Sequence, residues 1–376
     1  MNRVFEYRMS NLLVGNGIII QYGGTDYLNS DIVERAIDNI RSGRFPAHLY
    51  PKECADFVVA LQKEHSSALK GNYDKYVFTS YDRSSLRDFK NRYVKTDSYS
   101  VNEIGFEDYF LLFELVHNKQ RIENPERFNS RGVLRRMFLD AVFNIGKIET
   151  IYKKFPYDLI TWLKGHDHIF TTNYDSNLDI ATGFKIHHLH GSFQTLSENY
   201  DPNSFRNQLK DDLLDGEKMD PKFPHLYSNC LISYVGELKE YSMKESSLAN
   251  NGMEKFVSGY KNDPKIRQQI EALPDSNDLT RRLKEAIKLK AEHPELEHAE
   301  QYPHHMLENI SGSLEIVGLS PNNDGHLFAE ILKNNKISEI IFYHFGKQEA
   351  VDAQRIFTSK KLITREVQNL WSKLEN

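Results

Sequence analysis

Leu12-Leu13-Val14-Gly15-Asn16-Gly17 lies near the start of a chain of 376 residues, an apolar run that stops in a glycine-rich turn. The run reads as a strand over 10–17, and the two glycines permit positive φ and a close approach of a ligand to the backbone. A helix follows: Ile32, Val33, Ala36, Ile37 and Ile40 recur at helical spacing between Ser30 and Ile40, with Ser30 as N-cap. Strand, turn and helix in that order open an α/β unit.

The same pattern recurs further along. Ile169-Phe170-Thr171-Thr172-Asn173-Tyr174-Asp175 is an apolar strand from His168 followed by four hydrogen-bonding side chains in five residues. An Asx-turn capping a helix over 176–181 accounts for one of them, Asp175, but not for all. Ile186-His187-His188-Leu189-His190-Gly191-Ser192 ends a strand that starts at Phe184. If that strand runs through Leu189, His188 and His190 share a face and His187 points the other way. The spacing of His188 and His190 is also that of metal ligands, which leaves a zinc or manganese site open. His190 is the better chemical residue, because Gly191 leaves room for a ligand and imidazole titrates near working pH. A fourth strand, Ser313 to Ser320, ends in Gly318-Leu319-Ser320-Pro321-Asn322-Asn323-Asp324, with Ser320 and Asn322 placed to meet a ribose and Asp324 to cap a helix over 326–334. In an open α/β sheet ligands sit at the carboxyl ends of the strands, so these distant motifs are expected to converge on one crevice.

Composition narrows the alternatives. Lys and Arg total 48 against 53 Asp and Glu, a formal charge of −5, which makes nucleic acid a secondary expectation. Basic clusters at Arg131/Arg135/Arg136 and Arg281/Arg282/Lys284/Lys288/Lys290 read as solvated helix faces. With only Cys54 and Cys230 there is neither a disulfide framework nor a zinc ribbon. No run of 18 apolar residues and no signal peptide is visible, so a cytoplasmic protein off the membrane is expected. The 20 Tyr and 22 Phe are ample for a core or an interface between subunits.

Between the sheet segments lie two largely helical stretches. The first, about 71–160, carries dense apolar residues over 106–116 and 133–151, after a helix over 53–70. The second, about 237–308, is charged and includes helix-like Asp278 to Glu292; a strand candidate, Cys230 to Val235, precedes it. A further helix over 326–334 and a strand Glu339 to His344 complete an alternation that favours a parallel, Rossmann-like sheet with helical insertions in a single domain, 1–376.

Gly-Asn-Gly, Thr-Thr-Asn-Tyr-Asp, Leu-His-Gly-Ser and Gly-Leu-Ser-x-x-x-Asp, in this order, resemble the signatures of the sirtuin-like NAD-binding domain, and more specifically its divergent bacterial branch in anti-phage defence. The resemblance covers about 10–40, 165–195 and 310–345. It implies NAD as substrate, Asn173 and His190 as the catalytic pair, Asp175 as a ribose or structural partner, and Gly15, Asn16 and Gly17 as a phosphate loop. Thr172, Gly318, Ser320 and Asn322 join the expected cofactor contacts. Ile19 replaces the serine of the sirtuin Gly-Ala-Gly-Ile-Ser signature, and two cysteines cannot build the deacylase zinc ribbon, so no metal is expected and deacylation is set aside. What the resemblance implies instead is hydrolysis of NAD to nicotinamide and ADP-ribose as an abortive-infection effector, in a homo-oligomer with a HerA-type ATPase as partner. An NAD- or ADP-ribose-sensing subunit without turnover, and a metal-dependent nuclease built on His188 and His190, are the rival readings.

Overall fold

The computed structural model describes residues 9–44, 49, 54–93, 99–124, 126–198, 200–202, 204–208, 219–230, 237–298, 302–321 and 323–375. Six strands form one sheet: β1 (Ser10–Val14), β2 (His168–Thr171), β3 (His187–His188), β4 (Gly312–Val317), β5 (Ile337–His344) and β6 (Leu362–Glu366). They pair in the order β3-β2-β1-β4-β5-β6, every pair parallel. The chain winds outward from β1 to β3, then returns to place β4 beside β1 and winds the other way. That is the doubly wound, Rossmann-like order, and its reversal lies between β1 and β4.

Alternation along the strands sorts side chains to two faces. Leu12, Val14, Ile169, Val317 and Ile341 pack on one side with the helices Asn29–Arg41, Cys54–Leu69, Asp108–Gln120 and Glu126–Phe143. Leu13, Phe170, Leu314, Ile316, Ile340 and Phe342 pack on the other with Gly325–Lys333 and Lys347–Ile356. The first helical stretch therefore shares a core with the sheet. Its helix Asp108–Gln120 is buried from Asp108 through Leu115, on every face, which explains its dense apolar composition. The second stretch carries the 26-residue helix Glu237–Asn262 and a small core of its own around Val257, Ile270 and Ile287. No helix among the described residues is long and apolar enough to cross a membrane.

Several expected boundaries shift. Ser30 lies inside the helix Asn29–Arg41, whose N-cap is Leu28, and its hydroxyl donates to Asp31 at 3.0 Å. The helix expected over 133–151 ends at Phe143, where Asn144 and Ile145 take positive φ of 48° and 55° and 3-10 turns follow. The strand from Phe184 contracts to two residues. Beyond His344, where the sequence reading stopped, the chain adds the helix Lys347–Ile356, strand β6 and the helix Val367–Leu374. Of the Cys230–Val235 strand candidate only Cys230 is described, outside any strand; 231–235 lie outside the described residues.

The turn after β1 is held against the turn after β4. Gly15 N–H donates to the Val317 carbonyl at 2.8 Å and Gly17 N–H to the Gly318 carbonyl at 3.0 Å. A Cβ on Gly17 would lie 2.5 Å from the Gly318 Cα, and Gly318 itself has φ +73°. Gly17→Ala is therefore expected to destabilise the fold by ~1–3 kcal/mol, the usual cost of forcing an extra methyl into a packed contact. Gly325→Ala, with nothing within 4 Å of its Cβ, should stay within about 0.5 kcal/mol of the parent. Urea unfolding midpoints at unchanged slope check both, and equal midpoints for the two variants would remove the constraint.

Candidate active site

A cavity of about 250 Å³ opens where the strands end. Asn16 reaches it from the β1 turn, Thr172, Asn173, Tyr174 and Asp175 from the segment after β2, His190 from the segment after β3, and Asn323 and Asp324 from the loop after β4. The facing wall includes Tyr27, from the turn before the helix Asn29–Arg41, and Arg92, Glu107, Asp108 and Lys239 from the helical stretches.

Hydrogen bonds set the segment after β2. Thr171 Oγ1 donates to the Val14 carbonyl at 3.0 Å and accepts from Asn173 N–H at 3.0 Å, so this side chain is spent on the backbone. Asn173 Nδ2 donates to the Gly15 carbonyl at 3.3 Å, which ties its amide to the β1 turn. Asp175 Oδ1 accepts from Asn177 N–H at 3.1 Å and from the Asn177 side chain, which forms the expected Asx-turn, while Ser176 takes the N-cap position of the helix Asn177–Thr182. Its other oxygen, Oδ2, is buried without a hydrogen-bond partner among the described residues. Burial pushes the Asp175 carboxyl up to about 6, with Glu149 adding to the rise and Asn177 opposing it.

The three histidines separate in role. His187 stacks on Phe170 with ring centroids 4.9 Å apart. His188 Nδ1 lies 3.0 Å from the Asn173 carbonyl and Nε2 2.9 Å from Asp179 Oδ2. Both ring nitrogens thus face acceptors, an arrangement that the imidazolium satisfies in full. Burial opposes that charge, but the Asp179 carboxylate and the Asn173 carbonyl outweigh it and raise the pKa. His188 is a clamp on the Asn173 segment, and the expected pairing of His188 with His190 on one strand face is not formed, because β3 ends at His188.

His190 is buried, and its Nε2 sits 3.0 Å from His326 Nε2 on the helix Gly325–Lys333. Burial, then Lys239 and His326, holds His190 well below the usual 6.5, so it is a neutral imidazole. His326 is lowered in the same way. Lys239, 2 % exposed, reaches in from the first turn of Glu237–Asn262 and pairs with Glu107 Oε1 at 2.5 Å. Arg92 and Tyr93 Oη both bond Asp108. Asp324 occupies the N-cap position of Gly325–Lys333 but makes no capping hydrogen bond, which corrects the capping role expected for it. Burial pushes its carboxyl up to about 7.

Asn16, Thr172, Asn173, Asp175 and His190 therefore meet on one wall. Gly15, Gly17, Gly318 and Ser320 are not on it. The amides of Gly15 and Gly17 already bond β4 and its turn, so these glycines serve the approach of two turns in place of the expected phosphate contact. Asn16 directs Nδ2 at the Tyr27 carbonyl, 3.0 Å away. Asn322 lies outside the described residues. Gly191 does not leave space for a ligand: its Cβ position is 2.5 Å from the Asn229 carbonyl oxygen, and its φ is +83°. Sequence reading missed Lys239, Glu107 and His326. Only Asp324-Gly325-His326 at a helix start carried a readable signal.

No protein-family model, curated protein or solved structure matches the chain.

The Asp175 carboxyl yields a signed expectation. Between its ordinary 3.8 and about 6 the unfolded chain releases a proton that the folded chain keeps, so stability falls as pH rises through that window and levels off above it. Relative to Asp175→Asn, which cannot titrate, the parent should lose on the order of 2 kcal/mol between pH 4 and pH 7. Urea unfolding across that range measures it, and a difference that does not change with pH would rule out the buried carboxyl as its cause.

Proposed function

We propose that the chain is an NAD glycohydrolase, cleaving NAD to nicotinamide and ADP-ribose as an abortive-infection effector in anti-phage defence. The observation that carries this reading is that Asn173 and His190, from two separate motifs, line one cavity at the end of the sheet where strand order reverses. Ligands of doubly wound sheets bind there. At about 250 Å³ the cavity is below the roughly 300–1,000 Å³ of pockets for drug-sized ligands, a size suited to the nicotinamide ribose with the rest of the dinucleotide outside.

The reaction asks little of covalent chemistry. The bond between ribose C1′ and the nicotinamide nitrogen breaks, its electron pair neutralises the pyridinium, and water adds to C1′ and loses a proton. The protein must orient the ribose, stabilise an oxocarbenium-like transition state and admit one water. Asn173, its Nδ2 held by Gly15, offers Oδ1 to a ribose hydroxyl or that water. His190, neutral through burial and so a weak base, accepts a hydrogen bond from a ribose hydroxyl or that water and takes the proton as the water adds. The partly unsatisfied Asp175 carboxyl, on the same wall, is a further acceptor for the sugar. A homo-oligomer paired with a HerA-type ATPase is part of the same proposal. The rival nuclease reading takes His188 as a metal ligand, and both nitrogens of that ring are engaged by Asn173 and Asp179.

The test is nicotinamide release from NAD by the purified chain, alone and with a HerA-type ATPase. Asn173→Ala and His190→Ala should each lower the rate on the order of a hundredfold or more, with melting midpoints checked alongside. Retained cleavage in either folded variant would overturn the assignment of that residue. NAD binding without release in every setting would replace the hydrolase by a sensor.

A further inference from the structure

His190 Nε2, His326 Nε2 and a carboxylate oxygen of Asp324 lie within 4.8 Å of one another. The two imidazole nitrogens are 3.0 Å apart. Two nitrogens bound tetrahedrally to one ion at ~2.0–2.1 Å stand about 3.3 Å apart. At that distance one ring donates its N–H to the other, and an ion replacing this proton would need the pair to part by only about 0.3 Å. We propose that His190, His326 and Asp324 form an exchangeable site for a divalent transition-metal ion of the zinc class, and that an ion held there withdraws His190 from NAD cleavage.

Two imidazoles and one carboxylate with no thiolate suit zinc, iron(II) or manganese(II), and discriminate against calcium and magnesium, which take oxygen ligands. Three protein ligands also leave one coordination position open. His190 and Asp324 line the cavity, so an ion has a route in. The nearby ammonium of Lys239 is ion-paired with Glu107, which tempers its repulsion of a cation. Asp324, half-buried at the mouth of the helix, makes no capping hydrogen bond that would have to break for it to swing onto the ion.

The surroundings of His326 make the site exchangeable. Metal-bound histidines usually donate their second ring nitrogen to a carboxylate or carbonyl, and losing that partner weakens metal affinity roughly 10–100-fold. His326 Nδ1 is buried with no such partner among the described residues. The helix does carry a carboxylate on the same face, Glu330, but it is bonded to His304 Nδ1 at 2.7 Å and to Lys244. The site thus has the ligands of a metal centre without the second-shell bond of a permanent one. An ion on His190 Nε2 leaves the ring's single proton on Nδ1, so neither nitrogen can then accept a proton. The inhibitory half of the proposal rests on the NAD-cleaving reading; the binding half does not.

Cobalt(II) titration of the purified full chain separates the two. One equivalent should give the intense visible d–d bands of four- or five-coordinate cobalt, displaced by zinc. His326→Gln and Asp324→Ala should each weaken binding at least tenfold. Asp324, being half-buried, provides a variant that folds if His326→Gln does not. Absence of the bands, or bands of equal affinity in the folded Asp324→Ala variant, would overturn the site. In the activity arm, zinc should suppress nicotinamide release by the parent, and the ratio of rates with and without zinc should return towards one in Asp324→Ala. A bound cobalt spectrum with unimpaired release would overturn the inhibitory role alone. A bound spectrum in a chain that never cleaves NAD would uphold the site and overturn the proposed function.

Discussion

The contact of the β1 turn with the β4 turn organises everything else. Two backbones meet there at a distance that admits no Cβ on either side, with Gly15 and Gly17 donating to the Val317 and Gly318 carbonyls. This contact fixes the point at which strand order reverses, and the Gly15 carbonyl it positions holds the Asn173 amide. A motif that reads as a phosphate loop is thus a hinge pin of the sheet. The polar groups of the site stand around it, drawn from four loops and from helices on the far side of the cavity.

Those groups share a low-dielectric setting, and the fold assigns them different protonation states by what faces each one. Two acceptors favour the charged form of His188 against its burial. His190 and His326, which face each other and lie near Lys239, stay neutral because burial and a nearby positive charge both disfavour a further proton. Asp175 and Asp324 are pushed the other way, towards their neutral forms. Lys239 is ion-paired with Glu107, a residue of the first helical stretch, so the two helical stretches meet across the cavity through this contact.

Much of this was legible in the chain. The apolar runs ending in Gly15, Thr171 and Val317 named three central strands, because strands buried on both faces are continuously hydrophobic. Asn173 and His190 were legible as polar residues at strand ends. The rest depended on distances that only folding creates. His326 is one more histidine on an amphipathic helix until it meets His190 across 136 positions of sequence. Lys239 reads as a solvent-facing charge at the head of a charged helix. The glycines misled in a specific way: Gly17 and Gly191 carry the same sequence signal whether a ligand or a protein carbonyl occupies the space, and here it is protein. β6 escaped notice because it has five residues, partly exposed, with Arg365 and Glu366 at its end.

The brevity of the outer strands shapes how copies of this chain can meet. β3 offers two residues and β6 ends in charge, so neither margin of the sheet presents a long row of unpaired amides and carbonyls to another polypeptide. Growth by edge-to-edge strand addition has almost nothing to build on. What the fold leaves open to other polypeptides is helix surface, where contacts are made side chain by side chain, and the parallel sheet stays an internal frame.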